Sequence, residues 1–458
     1  MRADRSRLPD VGPDPDFAFP AIARHRLSNG LQVRTVEHQS MPVLTLVLQV
    51  EGGTGADPSE REGLAAITAD MVDEGTGSLS AIEVSDALAR IGAEYDVEVG
   101  ADATVFTLTT LSRFADRGAA LLADMLTKPS LRETDFDRVR QLRLDRLRQL
   151  KDLAPAVAER ALLRLLYATH PYGHLSIGTD QALRRVSLGD VAAFHAGTCQ
   201  PSRTTLVVAG ALRHEQLLQV AEDAFGAWAD ETKHDFPAGP RAADMPAPAA
   251  SPGLVVVPRD RAAQSELRIG HLATGRNTPD YPALLVMNAL LGGQFVSRVN
   301  LKLREEKGYT YGARTGFDWR RGPTPFTLQA SVHTAATADA IRDSLAELEA
   351  IRTSRPPAEA ELTLAKASLT RGYPRNFETA QQVARSVAQL ALYGLPDTYF
   401  QEFVPKANAV TAAEVTQVAV RHLDPARLTT LVVGDHGVIE ESLVALNLGP
   451  PRVLPAEI

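Results

Sequence analysis

The sequence predicts an α+β protein of two homologous halves, each a mainly antiparallel sheet covered by helices on one face. Three observations carry this. The chain of 458 residues is longer than one ordinary hydrophobic core supports, so it divides into two or more compact units. The stretch PSRTTLVVAGAL, from Pro201, returns as PARLTTLVVGDHG, from Pro425, and each follows a capped amphipathic segment, VSLGDVAAFHAG from Val186 and VTAAEVTQVAVRHL from Val410. Strand and helix signals are both present within each copy, without regular alternation.

The elements follow in order. PVLTLVLQV, Pro42 to Val50, is strand-like by its β-branched content. EGLAAITADMVDEG, Glu62 to Gly75, reads as a short helix with Leu64, Ile67 and Met71 as its apolar stripe. SAIEVSDALARIG has Ser80 and Glu83 at capping-box spacing and closes at Gly92. TVFTLTT, Thr104 to Thr110, alternates as a strand. TDFDRVRQLRLDRLRQL, Thr134 to Leu150, predicts a long helix packing through Val139, Leu142 or Leu144, Leu147 and Leu150. DFPAGPRAADMPAPAASPG, Asp235 to Gly253, is too rich in Pro and Ala to hold regular structure and reads as the connector. The expected division is 20–232, a connector at 233–253, and 254–450.

Composition narrows the function. With 44% hydrophobic and 23% charged residues the chain is of soluble globular type, and 48 Lys+Arg against 56 Asp+Glu argue against a nucleic-acid surface. The single cysteine, Cys199, excludes an internal disulfide framework and a thiolate-rich zinc site, and its simplest role is a buried small side chain. The polar, Pro-rich start has no secretory h-region, and no later stretch reaches about 18 apolar residues, so a cytoplasmic protein without a membrane span is expected.

Few stretches offer chemistry. The only histidines at i,i+4 are His170 and His174, and Pro171 and Gly173 between them forbid a helix that would align both rings on a metal, so THPYGHLSIGT reads as a loop. No G-x-S-x-G elbow or P-loop is present, and LLGGQFVSR reads as a tight bend into a helix. GGQFVSRVNLKLREEKGYTYGARTGF, Gly292 to Phe317, is different. A helix with Val296, Val299 and Leu303 on one face stops at Gly308 before a Tyr/Thr-rich strand. Arg304 in its last turn and Tyr311 beyond it offer a guanidinium fork and a phenol for a carbonyl or oxyanion. On composition alone, a solvated helix end and ordinary strand tyrosines explain them as well.

The order LSNGLQVRTVE, GLAAITADMVDEGT, HPYGHLSIGT, FHAGTCQPSRTTLVVAGAL and GGQFVSRVNLKLREEKGYTYGA resembles the pitrilysin/insulinase family of inverted zincins, in its processing-peptidase-like branch, from about Arg24 to Asp435. The resemblance implies a clamshell assembled from two such subunits. Peptide-cleaving members carry H-x-x-E-H in the first half, two histidines on zinc and a glutamate activating water. Here Ala66, Ala69 and Asp70 fall on those positions, and the third ligand position falls on Arg146, or on Asp145 one residue earlier. Alanine has no lone pair for a metal, so the chain itself is expected to bind no zinc. The second half keeps the arginine and tyrosine, seven residues apart, that hold substrate beside the zinc: Arg304 and Tyr311.

The resemblance thus implies a zinc-less subunit of a heterodimeric metallopeptidase. Its homologous partner would hold zinc, and its substrate would be an extended peptide added to a sheet edge. The long glycine-rich loop of the mitochondrial non-catalytic subunit is missing. The rival reading is a non-proteolytic structural or peptide-binding homodimer that kept the fold. A third, an autonomous peptidase with a relocated site, would need zinc on His170, His174 or Asp70.

Overall fold

The computed structural model describes residues 17–230 and 241–455, so the part of the expected connector at 233–240 lies outside the described residues. The first half contains β1 (Ile22–Arg26), β2 (Gln32–Glu37), β3 (Val43–Glu51), a small ribbon of β4 (Gly75–Thr76) and β5 (Leu79–Ser80), β6 (Glu94–Val99), β7 (Ala103–Leu111) and β8 (Thr204–Gly210). The second contains β9 (Gly253–Pro258), β10 (Gln264–Ala273), β11 (Thr310–Phe317), β12 (Thr324–His333), β13 (Thr429–Gly434) and β14 (Arg452–Val453). The two six-stranded sheets run β1-β2-β8-β3-β7-β6 and β14-β9-β13-β10-β12-β11. Without β1 and β14 the orders correspond strand for strand. Each central strand, β3 or β10, is antiparallel to both neighbours, and each sheet carries a parallel pair at the same place, β2 with β8 and β9 with β13, to which β14 adds a second with β9.

The repeat read from sequence is visible in its helices. Leu188–Thr198 and Ala412–His422 both start on complete capping boxes, Ser187 with Asp190 and Thr411 with Glu414. The Ser80–Glu83 box likewise opens the helix Ala81–Arg90.

Helices on one face only is the expectation the structure corrects. Leu44, Leu46, Leu48 and Val50 of β3 join Leu122, Leu126 and Phe225 of their own half. On the opposite face Val36, Val47, Val207 and Ala209 pack against Val383, Ala384 and Val387, from helix Ala380–Tyr393 of the other half. The exchange is reciprocal: helix Ala154–Tyr167 lays Ala158, Ala161 and Leu162 on Val255, Val257, Leu431 and Val433. The physical reason lies in the strands. Runs such as LVVA in β8 and LVVV in β9 are apolar on both pleat faces, and an apolar face left in water costs about 25 cal/mol per Å². A buried arginine secures the joint. Arg320 lies against the rings of Tyr167 and Tyr172, at 4.8 and 5.0 Å, and donates to the Tyr172 carbonyl at 2.9 Å.

β6 and β11 end their sheets at equivalent places, so each half offers an edge strand there. Among the described residues no helix is long and apolar enough to cross a membrane.

Candidate functional site

Each half places helical segments ahead of its edge strand, and the two sets have diverged. In the first half, helix Leu64–Asp70 buries Leu64, Ile67 and the following Met71, the stripe predicted from sequence. Ala66 and Ala69 are also buried, at 3% and 2% exposure, so their methyl groups serve packing. The N-terminus is held by Asp57, which accepts from the backbone N–H groups of Gly63 and Ala65, both at 2.7 Å.

Asp70 is neutralised from the long helix Glu133–Lys151, where Arg143 donates to its Oδ2 at 2.6 Å. The residues that the resemblance put at the third ligand position lie elsewhere on that helix. Arg146 is exposed and donates to Gln149 at 3.2 Å, and Asp145 pairs with Arg148, so neither faces Asp70. Arg143 lies one turn earlier, on the inward side, which puts it in reach. Val139, Leu144 and Leu147 are buried as expected, whereas Leu142 is exposed. A divalent cation does not fit this donor set, because two of its positions are methyl groups and the one carboxylate is held by a guanidinium. Nearby, burial and the charges of Glu74 and Asp70 push the Asp73 carboxyl up to about 6, against the opposing pull of Arg138. The Tyr95 hydroxyl of β6 is buried without a partner, and burial, with Asp73 and Asp70, raises it well above the usual phenol range.

The histidine loop is structural in its contacts. His174 places Nε2 3.0 Å from Asp57, and His170 Nδ1 accepts from the backbone N–H of Tyr172 at 3.1 Å. Among the described residues no group of three His, Cys, Asp or Glu is placed to hold a metal ion. Cys199, expected to be buried, is half-buried.

The second half builds its segment in another way. Two π-helical turns, Ala289–Gly293 and Leu301–Glu306, flank the short helix Arg298–Asn300. Wide turns of this kind recur at functional sites. The first packs tightly on β11: a Cβ on Gly292 would lie 2.5 Å from the Thr315 nitrogen, so only glycine fits. Arg298 anchors the start by donating twice to Glu361, at 2.8 and 2.7 Å. Val299 and Leu303 are fully buried as expected. Val296 is 48% exposed, because the helix begins only after Ser297.

Arg304 lies on the second π-turn. Its guanidinium stands 4.4 Å from the Phe295 ring centre, a cation–π contact that restrains an otherwise mobile side chain. Gly308, at φ +65°, ends the segment in the left-handed region and turns the chain into β11. Pairing of β11 with β12 then slips. Thr310 faces Val332 and Ala313 faces Ala330, so three steps on β11 match two on β12, and Tyr311–Gly312 hold the extra residue of a β-bulge. The Thr310 hydroxyl stabilises the bulge by donating to the carbonyls of Gly312 and Ser331, at 2.9 and 2.6 Å. Tyr311 is thereby turned outward and is 85% exposed. Buried Asn300 ties the turn to the strand, accepting from Ala313 N at 3.0 Å and donating to the Phe295 carbonyl at 2.7 Å.

The structure thus carries Arg304 and Tyr311 on adjoining elements cross-linked by Asn300. Phe295, Val296 and Leu301 beside them are exposed apolar side chains, and the Arg304 guanidinium also stands 3.4 Å from the Glu305 carboxylate. Sequence reasoning passed over Asn300, Phe295 and Arg143. The signal for Asn300 was a polar residue next to Val299 at the inward start of the helical segment.

Comparison with known proteins agrees with this architecture. Residues 32–180 match the insulinase family, peptidase family M16, and residues 185–369 match the peptidase M16 inactive domain. The chain belongs to this family. An uncharacterised zinc protease of Mycobacterium tuberculosis is 24% identical over 430 residues, covering 94% of this chain and 97% of that protein. The mitochondrial-processing peptidase subunit beta of Rattus norvegicus is 24% identical over 290 residues, covering 63% of this chain and 58% of its own length. Among solved structures, a peptidase M16 inactive domain from Pseudomonas fluorescens superposes with a TM-score of 0.83 at 23% identity, covering 90% of this chain and 98% of that one. A protease from Helicobacter pylori gives the same TM-score at 20% identity, covering 91% and 100%.

Proposed function

We propose that this chain is the zinc-less subunit of a two-chain M16 metallopeptidase and completes the active site of a zinc-bearing homologue. The observation that carries the reading is the divergence between the halves. The helix that would hold the metal presents Ala66, Ala69 and an Arg143-neutralised Asp70, while the second half invests two π-turns, a bulge and the Asn300 tie in presenting Arg304 and Tyr311.

The partner would supply zinc and the attacking water. This chain's residues would bind and orient. A peptide pairing with the free edge of β11 runs beside Tyr311, whose phenol donates to a peptide carbonyl or to the oxygen that becomes negative on attack. Arg304 offers a permanent positive charge at the same surface, with its charge already restrained against Phe295. The exposed Phe295, Val296 and Leu301 would be covered by the partner or by substrate side chains.

The test is peptide cleavage by this chain alone, by an H-x-x-E-H relative alone, and by their mixture, with Arg304→Ala and Tyr311→Phe in parallel. Activity in the mixture alone, reduced by both substitutions, is the expected result. Mixture activity indifferent to Arg304→Ala would refute the role, and silence throughout with a partner of proven activity would favour a non-proteolytic peptide-binding scaffold.

A further inference from the structure

The inner ends of both edge strands open on one cleft between the halves, of about 780 Å³. Glu98 of β6, Arg314 of β11, Gln329 of β12 and Glu159 of helix Ala154–Tyr167 line it. Most charges there already have partners. Arg268 is paired with Glu266, Arg320 with Asp318 at 2.9 Å, and Glu98 faces Arg385 at 3.6 Å. Asp102 accepts from the Tyr172 hydroxyl and from the backbone N–H of Arg321 at 2.8 Å.

Arg314 stands apart. It is exposed, lies three residues beyond Tyr311 on the same edge strand, and has no carboxylate partner among the described residues. Its one side-chain partner is Gln329, whose amide oxygen, oriented to accept, lies 3.0 Å from Nη2. Gln329 directly faces Arg314 in the β11–β12 register, which fixes the guanidinium on the cleft side of the sheet. Glu159 also lacks an ion-pair partner among the described residues, but it belongs to the helix across the cleft and not to the strand a peptide would pair with.

We propose that Arg314 is a specificity residue that selects a carboxylate side chain on the bound peptide. The inference rests on the reading above, in which peptide adds a strand to β11. Side chains of an added strand alternate between the two faces, and those on the cleft face stand about 5 Å from their cross-strand neighbours. Opposite charges at that distance attract, and like charges repel. A peptide with Glu or Asp at the position beside Arg314 is therefore preferred over one with Gln, and Lys is disfavoured.

The experiment uses the full chain and blocked eight-residue peptides in which Thr alternates with Glu, with Gln, or with Lys, binding being read by fluorescence anisotropy. Alternation puts every test residue on one face, and a one-residue slip moves them all to the other, so a residue that attracts Arg314 selects the register that sets it there. The Glu peptide is expected to bind about 5-fold more tightly than the Gln peptide, with Lys weakest, and the difference to shrink in 0.5 M salt. Arg314→Gln should abolish the preference and Arg314→Glu reverse it towards Lys. Equal binding of all three peptides overturns the assignment of Arg314 and leaves strand addition standing. No binding by any peptide overturns both.

Discussion

The two halves start from one plan and end differently at the same place. Each runs a helical segment through a left-handed glycine, Gly92 at φ +59° or Gly308 at φ +65°, into an edge strand, β6 or β11. In the first half the preceding segment is the regular helix Ala81–Arg90 and the strand pairs with β7 without a slip. In the second half the segment widens into π-turns and the strand bulges at Tyr311–Gly312. Elsewhere in the first half, helix Leu64–Asp70 spends its inward positions on packing and an ion pair, and the second half departs from ideal geometry where it carries Arg304 and Tyr311. Irregular backbone in one copy, with regular backbone in its twin, supports the proposal that the substrate-binding pair belongs to the irregular copy.

The comparison can be broken most decisively at Arg304. In a reconstituted pair, Arg304→Ala should lower the cleavage rate about 10²–10³-fold, as loss of one preorganised oxyanion partner does, while the unfolding midpoint moves little because only a surface cation–π contact and an ion pair with the exposed Glu305 are lost. Loss of stability in step with activity would contradict the assignment.

Next in size is a pH effect confined to the first half. Asp73 is raised in the folded state to about 6 from the ordinary carboxylate value, so the folded chain holds its proton more tightly than the unfolded chain does. Stability contributed by the protonated group is complete at low pH and is lost as pH rises through about 4 to 6. Asp73→Asn should therefore stabilise the chain by up to about 3 kcal/mol at pH 8 and by nothing near pH 3.5, read from urea unfolding at the two values. Equal stabilisation at both would show that charge is not the cause.

Arg143→Ala leaves the Asp70 carboxylate without its cation and should cost about 2 kcal/mol, Arg143 being mostly buried. The double variant Asp70→Ala, Arg143→Leu should recover most of that, because an apolar pair suits a site already lined by Ala66 and Ala69. A double variant as weak as the single one would mean that the ion pair contributes net stability.

The smallest effect is also the most discriminating. Gly92→Ala and Gly308→Ala each force a Cβ into the left-handed region, with open space around it, at about 1 kcal/mol. Only Gly308→Ala should also slow cleavage in the pair, since only that turn feeds the bulge. Equal kinetic effects would remove the distinction between the halves.

Much of this was legible in the sequence. Capping boxes at Ser80, Ser187 and Thr411 fix helix starts through contacts within four residues, and such local physics can be read from spacing. The long-range features were not. Exchange of the helices Ala154–Tyr167 and Ala380–Tyr393 joins residues far apart in the chain, and the two-sided apolar strands show only that something covers the second face. A bulge changes register by one residue and leaves composition untouched, so Tyr311's outward turn was invisible, although the neighbouring Gly312 hints at it. Motif spacing counts residues and did not show which residue of the long helix meets Asp70; that residue is Arg143, on the inward face.

The most direct measurement is zinc content and cleavage rate on one gel-filtered complex of this chain with an H-x-x-E-H homologue. A zinc-less subunit role predicts one zinc per pair of chains, none in this chain alone, and cleavage only by the complex. Two zinc ions per pair, or zinc and cleavage in this chain by itself, would contradict it.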